Sequence, residues 1–175
     1  MAPVKQPEVW LRGALPGFPA LLQPAAHALL QAKEEIHNRM DNFPDALLWE
    51  HPSGVASPGF HLKHMAGVLD RLFTYAAGQP LSPTQLDYLK AEEVHEEQDT
   101  VTYLLVKLDT QIAAALDALK AIDETTLTQF RGVGRQQLPS TVLGLLFHAA
   151  EHTMRHTGQL LVTAQILRNK LRAGL

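Results

Sequence analysis

The sequence predicts an all-α fold, a four-helix bundle, on two observations. Four long segments carry apolar residues at helical spacing, and runs that alternate apolar and polar residues with a period of two are hard to find. Helices of roughly 20–30 residues joined by turns form bundles whose sites are built from inward-facing side chains. The length of 175 residues fits a single domain over 1–175, because one core keeps growing up to about 250 residues.

The first long helix is expected from about Pro19 to Met40, with Leu21, Leu22, Ala25, Leu29, Ala32 and Ile36 on one stripe and Pro24 tolerated in its first turns. Asp41–Ala56, which holds Pro44, Pro52 and Gly54, reads as a loop. The second helix opens at Ser57-Pro58, a cap followed by proline at the first helical position, and runs to Ala77, where Gly78-Gln79-Pro80 stops it. Ser82-Pro83 repeats that start signal for a short helix, Thr84 to about Val94. A third long helix is expected from about Asp99 to Ala121 on the stripe Val101, Leu104, Leu105, Leu108, Ile112, Ala115, Leu116 and Leu119. Thr125–Pro139, with two glycines and two arginines, reads as a loop. The last helix is expected from a Ser140 cap to about Leu171, ending at Gly174.

Composition narrows the function classes. A formal charge of −3 argues against nucleic acid as a partner, since that affinity comes from Lys and Arg displacing counterions. Zero Cys removes disulfides, thiolate zinc sites, iron–sulfur clusters and any thiol nucleophile of the chain's own. The N-terminal MAPVKQPEVWLRGALPG has no apolar leader core, and no run of about 18 apolar residues follows. The expectation is a cytoplasmic protein with no membrane span.

The remaining bias is toward imidazole, with nine histidines. His148, His152 and His156 recur every fourth residue and share one face of the last helix, each rotated by about 40° and raised by about 6 Å from the one before. Neighbouring members can converge on one ion, whereas His148 and His156 stand about 12 Å apart along the axis, too far to share one. One of the three is therefore expected to support the ligands from behind or to serve in packing. His61 and His64, on one face of the second helix beside Met65, Val68 and Leu72, offer imidazoles to the same interior. Burying several unpartnered imidazoles would be costly, and shared coordination of a metal removes much of that cost.

Two other patterns compete. His148-Ala-Ala-Glu151-His152 matches the inverted zinc-peptidase motif H-x-x-E-H, but no Asp or Glu follows Glu151 to supply the further ligand such peptidases use. The acidic run Glu92, Glu93, Glu96, Glu97 and Asp99 around His95 reads as a solvated surface that starts the next helix.

The segments FHLKHMAGVLDRLFTYA and HAAEHTMRHTGQLL, with the ending H-x-x-x-H-x-G-Q, resemble the DinB-like superfamily (the DinB/YfiT type) of bacterial metal-binding four-helix bundles. The helical layout extends that likeness over nearly the whole chain. The resemblance implies a three-imidazole site made by one His of the second helix and the two preceding Gly-Gln, which carries over to His64, His152 and His156. It leaves His148 as a pocket wall and His61 as a neighbour of the ligands. The chain departs from the family in having Thr157 where an arginine commonly precedes Gly-Gln, and Arg155 lies on another face. Gly158 reads as a close-approach position, and Gln159 as a packing residue or one that orients a ligand.

The resemblance also implies a divalent transition metal (Zn, Ni or Fe) and, because the family often pairs bundles, a homodimer. Three imidazoles leave coordination positions open, which separates catalytic from closed sites. Members of the superfamily include transferases that join a low-molecular-weight thiol, such as bacillithiol or mycothiol, to an electrophile. That is the leading functional expectation, with a small-molecule substrate. The alternatives are a metal-dependent hydrolase and a non-catalytic metal-binding stress-response module.

Overall fold

A computed structural model describes residues 6–174. Residues 1–5 of the stretch read for a leader lie outside the described residues, as does residue 175. The elements are helices α1 (Gln23–Met40), α2 (Pro58–Ala76), α3 (Pro83–Ala91) and α4 (Val101–Ala121), strands β1 (Phe130–Val133) and β2 (Leu138–Thr141), and helix α5 (Val142–Ala173), with short 3₁₀ turns before α1, between α1 and α2, and between α4 and β1. The bundle is α1, α2, α4 and α5: α5 packs against α1 and α2, and α4 against α2 and α1.

Local chemistry explains the helix ends. Ser57 Oγ accepts from the Phe60 N–H at 3.1 Å, and Pro58 opens α2. Gly78, at φ 74°, lets the chain turn away after Ala77. Ser82 and Gln85 form a reciprocal capping box on α3. The first helix starts later than its apolar pattern predicts. Pro24 has no N–H for the Ala20 carbonyl, so Ala20–Leu22 is a 3₁₀ turn and Leu21 is left exposed. Two other starts shift as well. Thr100, rather than Asp99, begins α4 by accepting from the Tyr103 N–H, and Thr141, rather than Ser140, caps α5 by accepting from the Gly144 N–H.

The stripes meet in one core. Leu29, Ile36 and Met40 of α1, Leu62, Met65 and Leu69 of α2, and Leu104, Leu108, Ile112 and Leu119 of α4 are almost wholly removed from water. Each such leucine cut to alanine costs about 2–5 kcal/mol.

The segment expected as a loop, Thr125–Pro139, contributes most of an antiparallel hairpin in which Phe130 pairs with Thr141 and Val133 with Leu138. Four-residue strands are too short for alternation to register in a sequence. Arg131 ties the hairpin to the end of α2 through an Nε–H bond to the Ala76 carbonyl at 2.8 Å. Among the described residues no helix is long and apolar enough to cross a membrane.

Candidate metal centre

Where α2 crosses α5, the bundle gathers five histidines. His64, His152 and His156 each place one ring nitrogen within 4.8 Å of the other two. Their ring centres lie 4.4 Å (His64–His156), 4.6 Å (His152–His156) and 5.2 Å (His64–His152) apart. Helix periodicity brings the adjacent pair of α5 together and leaves the next turn out. His148 is exposed, its ring 5.1 Å from that of His152 and its Nδ1 3.7 Å from Glu151. Among the described residues no fourth His, Asp or Glu joins the group. Glu151 pairs instead with Arg155, on the outside of α5, and so takes no part in the group.

The three rings of the trio differ in what stands behind them. His64 places Nδ1 2.7 Å from Glu92 Oε2, and its Nε2 is 2.9 Å from His152 Nε2. Glu92 Oε1 accepts from the Arg71 guanidinium at 2.6 Å. The expectation that the acidic run is a solvated surface is therefore corrected at two of its members. Glu92 and Asp99 are buried, Asp99 beneath the buried ammonium of Lys63 at 3.0 Å. Glu93 and Glu97 remain exposed, and Glu96 keeps an exposed side chain while reaching Lys63. His156 places Nδ1 3.0 Å from Nδ1 of His61, which is itself buried. His152 Nδ1 is buried with no partner. Phe60 stacks on His64, ring centres 5.1 Å apart, and covers one side of the cluster.

Burial is the main force on the charge of these rings. It pushes His61 and His152 down to about 4 and His156 down to about 3, with the charge of His64 adding to each. At neutral pH these three rings are neutral imidazoles whose lone pairs must point somewhere. Packed imidazoles, one of them with an orphaned nitrogen, and no thiolate or carboxylate in the group make a donor set that fits a borderline transition ion such as Zn, Ni or Fe.

Beside the cluster runs a groove of about 690 Å³ lined by His61, Met154, Val162 and Ile166 of α2 and α5 and by Val55 of the preceding loop. Arg155 and Gln159 supply polar groups along its length. Gln159 is exposed there and so is not a core packing residue. Gly158 faces the same groove, and a Cβ at that position would meet nothing within 4 Å, so it is not a close-approach position. Thr157 is wholly buried, bonds the Thr153 carbonyl at 2.8 Å and rests on Met65. A larger arginine there would have to displace α2.

The family model described as the DinB superfamily matches residues 28–160. The chain belongs to the DinB superfamily. Solved structures with the same fold include a conserved protein from Enterococcus faecalis (18% identity, covering 85% of this chain and 98% of that one, TM-score 0.66). A protein from Streptococcus pneumoniae is similar at 13% identity, 87% and 92% coverage and TM-score 0.61. A DinB-like protein from Bacillus cereus is similar at 17% identity, 84% and 91% coverage and TM-score 0.58. At these identities the likeness is one of fold. No curated protein matches the chain. Membership in the DinB superfamily accords with the all-α bundle. Glu92 is the residue of the site that sequence reasoning missed.

Proposed function

We propose that this chain is a metal-dependent enzyme that transfers a low-molecular-weight thiol to an electrophile, with His64, His152 and His156 holding Zn²⁺, Ni²⁺ or Fe²⁺. The observation that carries the reading is a half-exposed cluster of three nitrogen donors, with no fourth protein ligand among the described residues, in a chain without cysteine. An ion held by three imidazoles supplies positive charge at an open position, enough to keep a thiol ionised near neutral pH. The protein's part is positional. Glu92 and His61 orient two of the rings from behind, Phe60 screens one side, and the groove beside His61 offers an apolar bed for the electrophile's body. The sulfur that attacks arrives with the cosubstrate.

The test is conjugation of bacillithiol or mycothiol to a chloronitroaromatic electrophile, followed by absorbance, with protein loaded in turn with each ion. Turnover that needs both metal and thiol, and that His156→Ala abolishes, is the expected result. Stoichiometric metal uptake without conjugation overturns the transferase reading and leaves a metal-stabilised module. Turnover of ester or amide substrates without thiol would assign a hydrolase instead.

A further inference from the structure

We infer that Glu92, held by Arg71, is a positioning residue that fixes His64 in the Nδ1–H tautomer and so keeps its Nε2 lone pair facing the other two rings. The inference rests on the metal reading of the trio and adds a residue to it from outside the two histidine helices.

The geometry carries it. Glu92 stands just past α3 and is buried. Its two oxygens are divided between two partners: Oε1 takes the Arg71 guanidinium at 2.6 Å, and Oε2 lies 2.7 Å from His64 Nδ1. An ionised carboxylate only accepts, so Nδ1 must carry the proton. In the neutral ring Nε2 is then the nitrogen left unprotonated, and it is the one 2.9 Å from His152 Nε2. A carboxylate behind a metal-bound imidazole is the arrangement that sets tautomer, ring orientation and basicity at many metal centres. A second feature supports it independently. Gly67, on α2 one turn from His64, lies against this pair. A Cβ there would overlap the Glu92 carboxylate and come within 2.6 Å of Arg71 Nη1 and 2.8 Å of Tyr88 Cε1. The helix surface is thus cut back at the point where the carboxylate reaches His64. Neither other ring has such a partner, since His156 has a neutral imidazole and His152 has none.

The chemistry of glutamine makes the test specific. In Glu92→Gln the side chain would have one accepting oxygen and one donating amide between two donors. The permanently charged guanidinium takes the oxygen, so the amide faces Nδ1 and His64 must turn to the Nε2–H tautomer, withdrawing its lone pair from the trio. Removing the competitor frees the oxygen for His64. Hence Glu92→Gln should lose what the double variant Glu92→Gln with Arg71→Met regains. A purely structural role predicts the reverse order, since the double variant loses more interactions.

The experiment measures Zn²⁺ affinity by competition with a chromophoric chelator, and the His64 tautomer by ¹⁵N NMR in metal-free protein at pH 8. Expected are an Nδ1–H His64 in the wild type, a shift to Nε2–H with about 10–100-fold weaker Zn²⁺ binding in Glu92→Gln, and recovery of both in the double variant. A Glu92→Gln protein that keeps Nδ1–H and binds Zn²⁺ within about threefold of the wild type overturns the inference. So does an Nε2–H His64 in the wild type, a reading that stands even where Glu92→Gln fails to fold. The two claims fail separately. A wild type that takes up no Zn²⁺ refutes the metal reading, while the tautomer measurement still decides what Glu92 does.

Discussion

Replacing Gly67 with alanine adds one methyl group and alters no ionisable group, yet it should damage the histidine cluster. The new Cβ would overlap the Glu92 carboxylate and sit 2.6 Å from Arg71 Nη1, whereas ordinary contact needs at least about 3.4 Å. Both neighbours are buried ends of side chains, so relief comes from moving the carboxylate by about 1 Å. The bond from His64 to Glu92, at 2.7 Å, then stretches past the distance at which it holds. Loss of such a partner typically costs 10–100-fold in metal affinity, or about 1.4–2.7 kcal/mol at 1.36 kcal/mol per tenfold. Crowding of a buried site adds about 1–3 kcal/mol to the loss of folding stability. Zn²⁺ affinity from chelator competition and urea midpoints on the same preparations separate the two effects. A Gly67→Ala protein with lowered stability and unchanged Zn²⁺ affinity would refute the reasoning, because the carboxylate would then matter only as packing.

Other consequences can be checked directly. In metal-free protein the rings of His61, His152 and His156 titrate at about 4, 4 and 3, below the ordinary 6.5. Between those values the unfolded chain binds more protons, so stability is complete above pH 6.5 and falls as pH drops toward 4. For His61 alone the fall amounts to at most about 3 kcal/mol, readable in urea titrations at stepped pH, and it should disappear in His61→Phe. Lys63→Met leaves Asp99 buried without its cation and should cost about 3–5 kcal/mol; a loss under about 1 kcal/mol would contradict the burial. His148→Ala, outside the trio, should keep Zn²⁺ affinity within about threefold, while His152→Ala should reduce it by more than about tenfold. If the groove holds the electrophile, Val162→Glu should raise KM for an apolar substrate with little change in kcat.

Much of the bundle was legible because its signals are local. Ser57-Pro58, Ser82-Pro83 and Gly78 mark ends through bonds that reach only three or four residues, and the stripe of α4 follows the helical period. The i, i+4 spacing of His148, His152 and His156 likewise limits any shared ion to an adjacent pair, and likeness to the family selected His152 and His156. What the sequence hid is long-range. Glu92 meets His64 across 28 residues and Asp99 meets Lys63 across 36, pairings made when the chain between α3 and α4 folds back on α2. A run of five acids looks the same in sequence whether its members face water or a buried cation. The hairpin escaped for a different reason, since its strands hold four residues each.

The trio joins α2 to α5, residues 88 and more positions apart. A chain that has lost its helix packing has scattered those rings, so an ion that binds all three recognises only the assembled bundle. Occupancy and folding then become one equilibrium: a hundredfold excess of free ion over Kd adds about 2.7 kcal/mol to the folded state. If the trio binds an ion as proposed, the melting temperature of this protein should therefore track the free metal concentration of its buffer, making the bundle itself a gauge of that ion.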